Sequence, residues 1–350
     1  MVDAQRRAAL IEYLASLGFT AEEMADAERR GRLFGLAGDA LLRSGPPTVT
    51  ARQAADRLGM SLDEFVHIWQ ALGLTVADPE LPTLSDADLD ALRSWQAISA
   101  LAGADAALNF LRIVGATMSR LAEASSTMTR IAEPDVLMTH TNDELATAKA
   151  YRAIAELVPG LAALMDAVWR HHITSARVYF EEVIHDTSAS VTCGVGFADL
   201  SGFTAMTQRL SPTELSDLLT RFGGEVSDVV HSRGGRVVKF IGDEVMWVTA
   251  SPKQLVQIAV ALVGYARARD AGLRVRAGLG YGSVLAIGGD YFGTPVNLAA
   301  RLVSAAEPGQ ILAGADVRDA LPDRPAVELV PLTLKGFETP VPAYDLSVDD

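Results

Sequence analysis

Cysteine is almost missing from this chain: Cys193 is the only one in 350 residues. A disulfide framework is excluded, and a lone thiol inside an apolar run fits a reducing cytoplasm. Positive charge is also scarce, with 30 Lys and Arg against 44 Asp and Glu and a formal net charge of −14. That balance speaks against a protein whose main partner is a nucleic-acid backbone, where affinity comes from cations that neutralise phosphates. No stretch reaches about 18 uncharged apolar residues, so no transmembrane segment is expected. The opening MVDAQRRAALIEYLASLGF lacks the apolar core and small-residue cleavage site of a secretory signal. What is present is a soluble globular composition, 49% hydrophobic and 21% charged, in a chain long enough for two domains with cores of their own.

Residues 1–183 read as a helical domain. Apolar residues recur at spacings of three and four, as in Leu10, Ile11, Leu14 and Leu17, or Leu108, Leu111, Val114 and Met118. The clearest breaks are Pro46-Pro47 and ADPELPTLSDAD at 77–88. The last long pattern runs from Asn142 to Glu182, with a kink expected at Pro159-Gly160. TARQAADRLGMSLDEFVHIWQALGL, 50–74, reads as a helix-turn-helix with Gly59 at the turn and Phe65 and Trp69 for packing. With the following LPTLSDADLDALRSW it resembles MerR-type regulators. Asp63 and Glu64 stand at the start of the would-be recognition helix, where contacts to DNA need donors. A helical fold used for regulation is therefore preferred over DNA binding.

From 184 to 350 the texture is α+β. Strand-like runs at 191–198, 235–240, 244–249, 273–281 and 283–287 alternate with helical patterns at 211–232, 252–269 and 294–306. Ser211, Pro212 and Glu214 form a capping-box start. KFIGDE, 239–244, predicts a hairpin turning at Gly242-Asp243, and a second hairpin is expected to turn at Gly280-Tyr281-Gly282. Such an order argues for a sheet with helices on one face.

GVGFADLSGFT, 194–204, begins as a strand that is apolar or small on both sides and runs out into Asp199. A second acid, Asp243, stands in the first hairpin. If the strands pair, the two carboxylates converge, and the simplest use for converging like charges is to hold a divalent cation. Each acid alone could equally be an ordinary turn or cap residue.

Taken together, FADLSGFT, VVKFIGDEV and GGDYFGTPVNLAARL resemble the class III nucleotide cyclase catalytic domain, from about residue 190 to the end. The resemblance implies a ferredoxin-like catalytic domain that makes cyclic AMP and pyrophosphate from ATP with two Mg²⁺ or Mn²⁺ ions. It implies metal ligation by Asp199, Asp243 and the carbonyl of Leu200. Lys239 and Asp290 match the pair that reads the purine; a cation donor and a carboxylate acceptor suit N1 and N6 of adenine, and guanine reverses that pattern. Asn297 and Arg301, four apart on a helical stretch, match the residues that orient the ribose and neutralise charge at the α-phosphate. Lys335, in LKGF, matches the lysine on the terminal phosphates, with Arg276 a further candidate there. In the family the site is built across a head-to-tail homodimer, Asp199 and Asp243 from one chain and Lys239, Asp290, Asn297 and Arg301 from the other. Gly280 stands where the family often has a histidine outside the catalytic set. Guanylyl cyclase activity and a catalytically weak cyclase-like regulatory module are the alternatives. GGD at 288–290 does not continue into the acid-aromatic pair of a cyclic di-GMP synthase, because Tyr291-Phe292 follows.

A helical domain before a soluble cyclase domain is similar to the autoinhibited, pH-responsive mycobacterial adenylyl cyclases. His67, His140, His171, His172 and His185 lie in the first half or at the junction. Histidine titrates near neutrality, so these are candidate pH sensors. Adjacent His171 and His172 point in different directions on a helix and do not suggest a metal site.

Overall fold

The computed structural model describes residues 2–183, 190–264 and 274–347. Its contacts divide the chain into two units, Met1–Arg170 and His171–Asp350.

The first unit contains α1 (Val2–Ser16), α2 (Ala21–Arg29), α3 (Leu36–Asp39), α4 (Ala51–Leu58), α5 (Leu62–Ala71), α6 (Asp86–Ala102), α7 (Ala104–Ala132), α8 (Met138–Thr141) and α9 (Glu144–Ala155), while α10 (Val158–Val183) runs on into the second. Helix starts are written locally. Thr20 with Glu23, Thr50 with Gln53, Ser61 with Glu64 and Ser85 with Asp88 each form a reciprocal capping box. Each N-cap contributes about 1 kcal/mol by satisfying donors the first turn leaves open. Two cores follow, Leu10, Leu14, Leu33 and Leu36 with Ala148, and Phe65, Ile68, Leu84, Leu89 and Leu92 with Leu111. The expected helix-turn-helix is α4 and α5: Gly59 ends α4 at φ 68°, and Phe65 stacks on Trp69 at 5.7 Å. The pattern over 142–182 is two helices rather than one kinked helix, because Pro159 lies in the first turn of α10, where its missing N–H costs nothing. No helix among the described residues is long and apolar enough to cross a membrane.

The second unit is built on one mixed sheet. Its strands are β1 (Ser190–Ser201), β2 (Arg236–Ile241), β3 (Glu244–Thr249), β4 (Arg274–Ile287), β5 (Asp290–Phe292), β6 (Ile311–Gly314), β7 (Val327–Glu328) and β8 (Ala343–Asp345). The order is β2-β3-β1-β4-β6-β8-β7, with β5 on the end of β4 and β4–β6 parallel. Helices α11 (Phe203–Thr207), α12 (Pro212–His231), α13 (Pro252–Val263), α14 (Thr294–Ala305) and α15 (Ala315–Ala320) complete it. The 252–269 pattern ends as a helix at Val263, and 265–269 fall outside the described residues.

Helices cover both faces of the sheet, not one. Ala198, Leu200, Val245 and Trp247 pack against Phe222, Val226 and Val230 of α12 and Leu255 and Ile258 of α13. Val191, Cys193, Val195, Phe197, Met246 and Val248 pack against Ala299 and Val303 of α14 and against Tyr179 and Val183 at the end of α10. The reason lies in β1, whose residues from Cys193 to Ala198 are all buried, so neither face of the strand can be left to solvent. Burial pushes the Cys193 thiol up to about 11, which keeps it protonated and unreactive.

The expected hairpin at Gly280-Tyr281-Gly282 is absent: β4 runs unbroken for 14 residues and pairs with β1 from Ser190↔Leu285 to Ser201↔Arg274. The chain reverses later, between Ile287 and Asp290. Gly278 and Gly280 serve close packing instead. A Cβ on Gly278 would meet the Ala299 carbonyl oxygen and the Val303 nitrogen at 2.2 Å, and one on Gly280 would meet the Pro295 carbonyl oxygen at 2.4 Å. Those atoms are backbone and cannot swing away, so α14 lies directly on the strand. Gly278→Ala is therefore expected to lose at least about 1–3 kcal/mol. Gly224→Ala, in α12 with nothing within 4 Å of the new methyl, is expected to gain about 0.5–1 kcal/mol. Urea midpoints of the two variants in opposite directions from the parent confirm this; a stable Gly278→Ala refutes it.

Candidate active site

The two acids converge as the sequence suggested, though Asp199 does not lie beyond its strand. It is still in β1, opposite Arg276 of β4, and the strand ends at Ser201. The hydrogen-bond ladder with β4 continues past the acid, so the carboxylate is set by a paired backbone rather than a loose turn. Gly202 then takes φ 89°, a left-handed conformation that turns the chain into α11. Asp243 sits in the tight turn of the β2–β3 hairpin, between Ile241 and Glu244, which pair.

Asp243 is pushed up to about 6, first by burial and then by its hydrogen bond to Asp199 and that group's charge; the N–H groups of Asp243 and Leu200 oppose this by donating to the carboxylate. Glu244, one residue on, is pushed up to about 7 by burial and by the charges of Asp199 and Asp243. The sequence reading passed over Glu244, although three acids within GDEV and FADL were visible. Among the described residues, Arg276 supplies a counter-charge here: its Nε and Nη2 donate to Asp199 Oδ2 at 3.0 and 2.6 Å. Its Nη1 donates to the carbonyls of Ser304 and Ala306 at the end of α14. Arg276 thus pairs with Asp199 in this structure.

Lys239 and Asp290 meet in one chain. Lys239 Nζ donates to Asp290 Oδ2, and the N–H of Tyr291 donates to Asp290 Oδ1 at 2.8 Å. Lys239 lies opposite Met246, which lies opposite Phe197, so Lys239 and Asp199 share one face of the sheet. Asn297 and Arg301 are both exposed on α14, and Arg301 Nε donates to the carbonyl of Lys335 at 3.1 Å. Three clusters result: Asp199, Asp243 and Arg276; Lys239 and Asp290; Arg301 and Lys335. Among the described residues no hydrogen bond or ion pair links one cluster to another.

The regulatory candidates are scattered. His67 lines a cavity of about 540 Å³ with Glu64, Trp95 and Gln96. His140 Nε2 lies 3.4 Å from Asp135, while His171 and His172 are exposed on α10. His185 lies outside the described residues. Glu64, at the start of α5, accepts from the N–H and hydroxyl of Ser61, so it serves the cap and offers no donor to a phosphate.

Comparison with known proteins covers both units. The family model of the adenylate cyclase regulatory domain matches residues 2–176, and that of the adenylate and guanylate cyclase catalytic domain matches residues 186–338. The chain is 63% identical over 346 residues to the uncharacterized protein Rv2212 of Mycobacterium tuberculosis, covering 99% of this chain and 92% of that one. It is 30% identical over 333 residues to the pH-sensitive adenylate cyclase MT1302 of the same species, covering 92% and 81%. It is 32% identical over 269 residues to an adenylate cyclase of Streptomyces coelicolor, covering 75% and 69%. Among solved structures, the adenylyl cyclase CyaB of P. aeruginosa aligns with 46% of this chain and 95% of its own at 29% identity, with a TM-score of 0.43. With the regulatory domain matched along the first unit and the cyclase motifs in place on the sheet of the second, the chain belongs to the class III adenylate cyclases.

Proposed function

We propose that the protein converts ATP to 3′,5′-cyclic AMP and pyrophosphate at a site shared by two copies of the chain. The observation that carries this reading is the pair Asp199–Asp243, held in contact on the sheet face that also bears Lys239. Two carboxylates offer oxygen ligands that fit a hard divalent cation, which would relieve the repulsion by which Asp199, after burial, pushes Asp243 up. Asp199, Asp243 and the carbonyl of Leu200 would hold Mg²⁺ or Mn²⁺, two ions per site. When bound, the ions favour ionisation of the ribose 3′-hydroxyl and stabilise charge on the leaving pyrophosphate.

The chain's own residues account for recognition and charge. Lys239 donates to adenine N1 and Asp290 accepts from N6; these are neighbouring positions on one edge of the base, as the two side chains are neighbours in the fold. Asn297 orients the ribose, and Arg301 neutralises charge at the α-phosphate. Lys335, beside Arg301, takes the terminal phosphates, and Arg276 can exchange Asp199 for a phosphate oxygen. Asp199 and Asp243 of one protomer would face Lys239, Asp290, Asn297 and Arg301 of its partner. We assign residues 1–183 to inhibition of the catalytic domain 184–350 and relief of it by pH. The candidate histidines support that reading.

The metal assignment has a readout besides activity. Between about pH 4 and 6 the folded chain binds a proton at Asp243 that the unfolded chain has released, so metal-free stability falls as pH rises through that window. A cation replaces the proton. Mn²⁺ should raise the Tm of the parent more at about pH 7.5 than at about pH 5, and this gain should vanish in Asp199→Asn and Asp243→Asn together with cyclase activity. A Mn²⁺-induced shift retained by both variants refutes the assignment.

Mixing inactive Asp199→Ala with inactive Arg301→Ala should restore activity, since one composite site receives both intact halves. No recovery after demonstrated subunit exchange refutes the shared site. Lys239→Glu with Asp290→Cys should cut kcat/KM for ATP by roughly a hundredfold, the effect of losing charged hydrogen bonds worth about 2–3 kcal/mol. Unchanged turnover, measured by separating products from ATP and GTP, would mean these side chains do not read the base.

A further inference from the structure

Among the described residues, Tyr179 is the largest side chain that the end of α10 contributes to the buried face of the catalytic sheet. It is 7% exposed and packs in one cluster with Val183, Val191, Cys193 and Tyr291. Its phenol reaches Tyr291 and Cys193. On the other side, the guanidinium of Arg236 lies over its ring, 5.3 Å from the centroid. Tyr291 and Arg236 lie close in sequence to the proposed base-reading pair, one residue from Asp290 and three from Lys239. Tyr291 follows Asp290 directly, and its N–H holds the Asp290 carboxylate at 2.8 Å. Arg236 opens β2, and Lys239 lies on the same strand just past a register shift between Val237 and Lys239.

We propose that Tyr179 is a positioning residue for base recognition, bridging β5 and β2 so that Asp290 and Lys239 stay matched to the edge of adenine. This rests on the base-reading assignment of those two residues. The bridge matters because both elements lie at margins of the sheet. β2 is the edge strand of the sheet, paired to β3 alone, and the register shift leaves Lys239 less constrained by that pairing. β5 is three residues long and pairs only with the end of β4. No strand pairing joins β2 to β5; β3, β1 and β4 lie between them. Beside the Lys239–Asp290 contact itself, which a purine must break, Tyr179 adds a link between the two, packing with Tyr291 and lying under Arg236. Arg236 Nη1 is buried without a hydrogen-bond partner among the described residues, and the guanidinium lies over the face of the Tyr179 ring. A shift of the last turns of α10 would therefore move both readers, and nucleotide selectivity would follow the helix that links the two units.

The test uses the full-length enzyme. Tyr179→Leu removes the ring and the hydroxyl, and Tyr179→Phe removes only the hydroxyl. Each is assayed for kcat and KM with ATP and with GTP, beside the Lys239→Glu, Asp290→Cys variant. Tyr179→Leu is expected to lower the ATP-over-GTP ratio of kcat/KM about 5-fold or more, the low end of coupling between linked sites, mainly through a higher KM for ATP. Tyr179→Phe should lower it less. The Mn²⁺-induced shift in Tm should stay that of the parent in both, because the acid pair is untouched. A merely structural role would lower activity with both nucleotides and leave their ratio alone. An unchanged ratio in folded Tyr179→Leu, with the Lys239, Asp290 variant shifting it, overturns the positioning role while leaving the base readers in place. If that variant also leaves the ratio unchanged, the base-reading assignment falls and this inference with it. Should Tyr179→Leu fail to fold, Tyr179→Phe decides by the same ratio.

Discussion

Two carboxylates pressed together at the end of a sheet are a standing electrostatic cost, and the catalytic unit is arranged around that cost. Asp199 is held by the β1–β4 ladder and Asp243 by a two-residue turn, so neither can retreat. Arg276 offsets part of the repulsion, and the proton retained by Asp243 offsets more. The divalent cation proposed for this site would relieve what remains.

Rigidity beneath the acids comes from the way α14 lies on β4. Without side chains at Gly278 and Gly280, helix and strand approach at backbone contact, and the helix is fixed in position by atoms that cannot change rotamer. That contact sets where α14 presents Asn297 and Arg301, and where its end offers the Ser304 and Ala306 carbonyls to Arg276. The same helix therefore joins the acid cluster to the face proposed for the partner's substrate. The end of α10 covers a neighbouring part of this sheet face, bringing Tyr179 against Tyr291 and Arg236, near the proposed base readers.

In the helical unit the local signals are stronger and the chemistry is weaker. Four capping boxes and a left-handed Gly59 define helix ends from the sequence alone. Some of its acids are engaged in those caps, as Glu23, Glu64 and Asp88 are, and others in surface ion pairs such as Arg57–Asp86, which contribute little individually.

Sequence alone determined what is local. The β2–β3 hairpin follows from IGDE, the start of α12 from Ser211 and Glu214, and the identity of the acids from the motifs that carry them. It misread Gly280 and Gly282 as a turn, because a glycine looks the same in sequence whether it frees φ or makes room for a neighbour. Only the tertiary structure showed α14 lying there. It expected helices on one face, although the unbroken burial of β1 was already visible in GVGF; which helices answer that burial is a matter of contacts distant in sequence. Arg276 on Asp199, Glu244 in the acid cluster and Tyr179 between Tyr291 and Arg236 were likewise hidden. These groups lie far apart in the chain or carry no periodic signature, and strand register brings them together. Propensity and spacing act over a few residues, whereas register and layer packing act over a hundred, and the site is made by the second kind of constraint.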